Sequence, residues 1–128
     1  QDSENPVYYV QYAHARICSL RAKMAEDGVA VPAAGDVDVS LLSSGEEQAL
    51  LKAIARFPEE IRTAGRDCDP AQINRYLISL AGDFHRFYNA DRIKGEEPAV
   101  AAARLKLAET TRSVLANGLA LIGAPERM

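Results

Sequence analysis

The stretch "DPAQINRYLISLAGDFHRFYNA", residues 69–90, decides the fold. Its apolar residues Ile73, Tyr76, Leu77, Leu80, Ala81, Phe84, Phe87 and Tyr88 recur at spacings of three and four. A helix of about 3.6 residues per turn gathers such positions into one stripe. Asp69 is a good N-cap, and Pro70 falls at the first helical position, where its missing N–H is no loss. A half-buried strand would need apolar residues at every second position, and no segment of the chain shows that over strand length. The stretch predicts a long amphipathic helix and, with its neighbours, an all-α fold.

The same punctuation recurs on both sides. Asn5 and Pro6 open a helix expected to run to Glu26 and stop at Gly28. "VAVPAAGDVDVS" reads as a loop. Ser44 and Glu47 form a capping box that starts a second helix. Pro58 ends it and opens a shorter one through about Ala64. "DRIKGEE" is a polar connector, and Pro98 opens a last long helix with its expected end at Asn117-Gly118. The result is a single domain, a bundle of about five helices.

Composition bounds what such a bundle does. The chain has 128 residues, 48% hydrophobic and 26% charged, which suits one soluble domain with a proper core. A net charge of −3 at pH 7 argues against a strongly basic nucleic-acid binder, so any RNA contact has to come from a local patch. No apolar run approaches the roughly 18 residues of a membrane span, and the N-terminus lacks the pattern of a signal peptide. Cys18 and Cys68 carry no metal spacing and read as reduced thiols. A di-metal bundle would want Glu-x-x-His pairs, and neither His14 nor His85 has a Glu three residues before it. Both histidines read as hydrogen-bonded helix residues.

The first helix carries the most unusual side chains. At about 100° per residue, Val10, Ala13, Ile17, Leu20 and Met24 share one narrow stripe, the expected core face. Tyr9 and Arg16 lie at one edge and Tyr12 further out. His14 lies at the opposite edge, while Tyr8 and Gln11 project away from the core. Phenol rings stack on unpaired bases, and amide or guanidinium groups bond base edges or phosphates. Tyrosines are also common at the rim of a core, being half apolar, and periodicity leaves both readings open. Seven of the eight aromatic residues fall in the first helix and in residues 70–90, Phe57 being the exception, so these two helices are expected to pack together.

"NPVYYVQYAHARI", then "INRYLISLAGDFHRFYNADRI", then "LANGLALIGAPERM", together resemble the C-terminal anticodon-binding domain of bacterial arginyl-tRNA synthetases, a helical bundle called the DALR domain. The resemblance spans essentially the whole chain. The D-A-L-R string itself is absent, "LKLAETTRSVL" standing in the comparable helix. It implies a piece of a longer enzyme, beginning at a cut and ending at the family's own terminus in "APERM". The parent joins arginine to its tRNA with ATP. The HIGH-type and KMSKS-type signatures of its catalytic domain, and a phosphate loop, are missing here, so no ATP or other cofactor is expected in this domain.

The family's first helix faces the anticodon loop, which maps to Tyr8, Tyr9, Gln11, Tyr12 and Arg16. Its C-terminal residues also approach the loop, which maps to Arg127 and Met128. Tyr88 and Asn89 are added from the exposed end of the long helix. Arg16, Arg86, Arg92 and Lys94 are candidates for phosphate contacts, although each also reads as an ordinary solvated cation. The implied partners are arginine tRNA and the catalytic domain of the same chain, in a cytoplasmic monomer without membrane contact. A helical protein-interaction module and a related class I synthetase, such as cysteinyl, are the alternatives.

Overall fold

The computed structural model describes residues 6–124. Asn5, Arg127 and Met128 lie outside the described residues. The chain forms five α-helices, α1 (Pro6–Glu26), α2 (Gly45–Ala55), α3 (Phe57–Arg66), α4 (Pro70–Ala90) and α5 (Pro98–Leu121), with no strand among the described residues. The all-α expectation holds. The loop after α1 contains two single 3₁₀ turns, Ala34–Asp36 and Val39–Leu41.

Local chemistry sets most boundaries. The capping box at α2 is complete: the Glu47 amide donates to Ser44 Oγ at 3.1 Å, and the Ser44 amide donates to Glu47 Oε1 at 2.9 Å. Before Pro98, the Glu97 carboxylate accepts from the amides of Ala99 and Val100, satisfying two otherwise orphaned donors of α5. Asp69 precedes α4 as expected, but its side chain does not cap the helix. The carboxylate instead accepts from Arg75 at 3.2 Å. Position made Asp69 an N-cap; a nearby cation took its oxygen.

The end of α5 corrects the expected boundary. The helix runs through Asn117 and Gly118 to Leu121. It stops in a Schellman motif at Gly123, whose φ of +75° suits a residue without Cβ. There the Ala124 amide donates to Leu119 O and the Gly123 amide to Ala120 O. Gly118 serves packing instead. A Cβ there would fall on the Leu77 isobutyl group of α4, and Leu77 is fully buried. Gly118→Ala is expected to lower stability by about 1–3 kcal/mol, overpacking outweighing the roughly 1 kcal/mol gain in helix propensity. Chemical denaturation checks this: a midpoint equal to or above that of the parent chain would mean Leu77 has room to turn.

The central helix is α4, which packs against all four others. Its Leu77, Leu80, Ala81, Phe84 and Phe87 are completely buried. Each large apolar side chain so buried contributes about 1.5–3 kcal/mol. Tyr76 is buried too, and its hydroxyl donates to Ala53 O of α2 at 2.6 Å, which removes the penalty of an unpaired phenol. In α1, Val10, Ala13, Ile17, Leu20 and Met24 form the buried stripe as expected. Gln11 is buried as well, against expectation, and so is His14 at the edge of the stripe. α1 lies against both α4 and α5, and α5 covers the flank that one helical wheel left to solvent. His14 sits within 3.4 Å of Arg112, and Arg21 pairs with Glu109 at 2.8 Å, both partners on α5. Cys18 and Cys68 are not joined in a disulfide.

Arg104 of α5 ties the connector after α4 to the bundle. Its Nε donates to Glu47 Oε2 at 2.6 Å and its Nη1 to Arg92 O at 2.7 Å. Asp91 and Glu96 stand within 3.5 Å of the same guanidinium. This anchors residues 91–96 at the edge of α1.

Candidate functional site

The outer flank of α1 and the last two turns of α4 build one continuous surface. Helical spacing puts Tyr9, Tyr12 and Arg16 on one side of α1, and that side meets α4. His85 fits between the two tyrosines, its ring 5.4 Å from Tyr9 and 5.6 Å from Tyr12, the latter pair stacked at 30°. Arg16 Nη1 lies 2.9 Å from His85 Nδ1. The same guanidinium lies over the Tyr88 ring, 4.5 Å from its centroid, and 5.8 Å from Tyr12. Tyr9, His85, Tyr12, Arg16 and Tyr88 thus form a row of π faces joined by hydrogen-bonding and cation–π contacts. Phe84 backs the row from the core, its ring stacked 5.7 Å from Tyr88.

The row is open to solvent where it needs to be. Tyr12 keeps 47% and Tyr9 37% of their surface exposed, although both are large rings on a rigid helix. Beside Tyr12, a groove of about 300 Å³ runs between α1 and α4, lined by Tyr12, Arg16, Ser19, Lys23 and Tyr88. A second groove of about 350 Å³ shares Leu20 and Tyr88 with the first and continues past Asn89 to Arg92 and Lys94. Four cations, Arg16, Lys23, Arg92 and Lys94, line the joined grooves. Among the described residues, Lys94 pairs with Asp27 at 3.5 Å on the open surface, and the exposed Arg92 stands 3.9 Å from the half-buried Glu96. An acidic chain thus presents a local positive trough next to stacked rings. Such a trough tracks a phosphate backbone while the rings take bases.

The family of DALR anticodon binding domains matches residues 10–128. The chain belongs to this family. Among curated relatives, an arginine–tRNA ligase of Carboxydothermus hydrogenoformans is 49% identical over all of this chain. One from Ruminiclostridium cellulolyticum is 44% identical over the same extent. In each case the match spans 23% of the relative, so the chain corresponds to about a quarter of those proteins. The structure of Thermus thermophilus arginyl-tRNA synthetase superposes with a TM-score of 0.84 at 28% identity, covering 98% of this chain and 21% of that one.

Within this DALR domain the expected site residues separate into groups. Tyr9, Tyr12, Arg16, Tyr88 and Asn89 come together along the row and its grooves. Gln11 does not join them: it is only 3% exposed, on the flank that α5 covers, so its projected outward position is corrected. Tyr8, also projected outward, is half-buried. Arg86 pairs with Asp83 and lines a separate depression with Glu46. Lys23 and His85 are the members that sequence reasoning missed. His85 follows Ala81 by four and precedes Tyr88 by three, so the wheel of α4 does put it on the flank that α1 occupies.

Burial, and then the Arg16 charge beside it, hold the His85 imidazole below its ordinary pKa. Among the described residues no cluster of His, Cys, Asp or Glu is arranged to hold a metal, and no helix is long and apolar enough to cross a membrane.

Proposed function

We propose that this DALR domain is the tRNA-recognition part of an arginine–tRNA ligase. It holds the anticodon stem-loop of arginine tRNA while a catalytic domain of the same polypeptide attaches arginine with ATP. The observation that carries the reading is the row from Tyr9 to Tyr88 running into a cation-lined trough. In this reading Tyr12 and Tyr9 stack on unpaired anticodon-loop bases. Arg16, Lys23, Arg92 and Lys94 neutralise phosphates, and Asn89 bonds a base edge or sugar at the far end. Contacts made here act on a distant reaction by orientation, since binding energy remote from the reacting atoms holds the acceptor end where it must be. The names and lengths of the relatives support the assignment to arginine.

The test is binding of an arginine anticodon stem-loop against a stem-loop of unrelated anticodon. The first should bind tighter, and raising salt from low to moderate should weaken it, because neutralised phosphates release counterions. Tyr12→Ala should remove one stacked ring, worth about 1–3 kcal/mol. That is roughly 5- to 150-fold in affinity. The melting temperature should barely move, since Tyr12 is 47% exposed and leaves little cavity. A variant that melts far lower yet binds normally when folded would make Tyr12 a core residue and end this reading of the row.

A further inference from the structure

His85 is half-buried, with one ring nitrogen turned inward. Its Nε2 is buried and has no hydrogen-bond partner among the described residues. A guanidinium carries only donors, so at 2.9 Å from Arg16 the Nδ1 atom must be the acceptor. The proton of the neutral ring then sits on Nε2, the atom left unpaired. Burying an unpaired N–H is unfavourable. A phenylalanine would fill the same space without that penalty, and what it would lack is the acceptor for Arg16.

We infer that His85 is a positioning residue: as the neutral, Nε2-protonated imidazole it pins Arg16 over Tyr88 and props Tyr12, so that ring face and cation hold one geometry before RNA arrives. This rests on the RNA-binding reading of the row. Arg16 has many rotamers in solution, and pinning it in advance removes part of the ordering cost of binding. Facing the imidazole from α1 are Tyr9, Tyr12 and Arg16, and from its own helix Phe84. Arg16 is the charge that acts on it. Protonating Nδ1 would turn the acceptor into a donor facing a cation and release Arg16.

The inference separates from a plain charge effect by sign. Adding positive charge near a trough for phosphates strengthens RNA binding, whereas losing the Arg16 anchor weakens it. Stem-loop affinity of the 128-residue chain should therefore fall as pH drops below the usual histidine range. His85→Phe should stay folded, bind about tenfold more weakly at neutral pH and lose that pH dependence, since a hydrogen bond to a charged group is worth at least one tenfold step. His85→Asn, whose Oδ1 stands near the place of Nδ1, should recover much of the loss. Imidazole nitrogen NMR of the free chain should report an unprotonated Nδ1 and a protonated Nε2. Binding by His85→Phe equal to that of the parent chain, affinity rising on acidification, or a protonated Nδ1 at neutral pH would each overturn the inference. Tyr12→Ala serves as the reference. If it weakens binding while His85→Phe does not, only the role of His85 falls; if neither weakens it, the RNA reading falls and this role with it.

Discussion

Arg104→Met is expected to lower the melting temperature by on the order of 10–20 °C near neutral pH. Removing one partner of a buried ionic cluster costs about 3–5 kcal/mol, because charges already taken out of water are left uncompensated. A domain of this size melts about 4 °C lower per kcal/mol. Glu47 is 1% exposed and Asp91 8%, so neither carboxylate can turn to solvent without opening the packing. Glu47 also completes the capping box, so the disturbance should spread into the first turn of α2.

The deficit should narrow in acid, and the sign follows from Asp91. In the folded chain its carboxyl pKa is raised above the ordinary value of 3.8, chiefly by burial, with the neighbouring Glu47 and Glu46 adding to it and the Ser44 hydroxyl and Arg104 opposing. A carboxyl whose folded pKa exceeds its unfolded one makes the native state the greater proton binder. The contribution of Asp91 to stability is then fully present at low pH and is lost as pH rises from about 3.8 through the folded value. Without Arg104 the folded pKa should rise further, steepening that fall. Adding Asp91→Asn to Arg104→Met should return part of the lost stability by removing one stranded charge. Calorimetry between acid and neutral pH checks all three statements, and a variant within a few degrees of the parent chain throughout would mean the cluster adds no stability.

Phe84→Ala should cost about 3–5 kcal/mol, the range for emptying the space of a buried phenylalanine. Phe84 is completely buried in the core. Its ring contacts Phe87 at 6.1 Å, Tyr88 at 5.7 Å and His85 at 5.8 Å. It is the wall against which the binding row stands. Stem-loop affinity measured well below the melting transition should therefore also drop, because Tyr88 and His85 lose their backing. This double effect distinguishes Phe84 from Tyr12, where affinity changes and stability does not. A large stability loss with unchanged affinity would show that the row holds its shape without support from the core.

Much of the architecture was legible in the sequence because the determining interactions are local. The three-and-four spacing of residues 73–88, the proline at the start of α4 and α5, and the Ser44–Glu47 box act within a turn or two of the backbone. The buried stripe of α1 and the outward Tyr12 follow from angle around a single axis. An angle, however, does not say how many neighbours a helix has. Gln11 and His14 are buried because α5 closes a second flank of α1, and Gly118 is a contact point because Leu77 of α4 arrives there. Asp69 gave its oxygen to Arg75 rather than to the helix end. The bond from Arg16 to His85 spans 69 positions, and the contact of Arg104 with Glu47 spans 57. Helix identity and the exposed rings were thus determined by periodicity and end chemistry. Only the tertiary structure joined those rings into a row through His85 and laid the positive trough beside it, because such contacts depend on where separate helices cross.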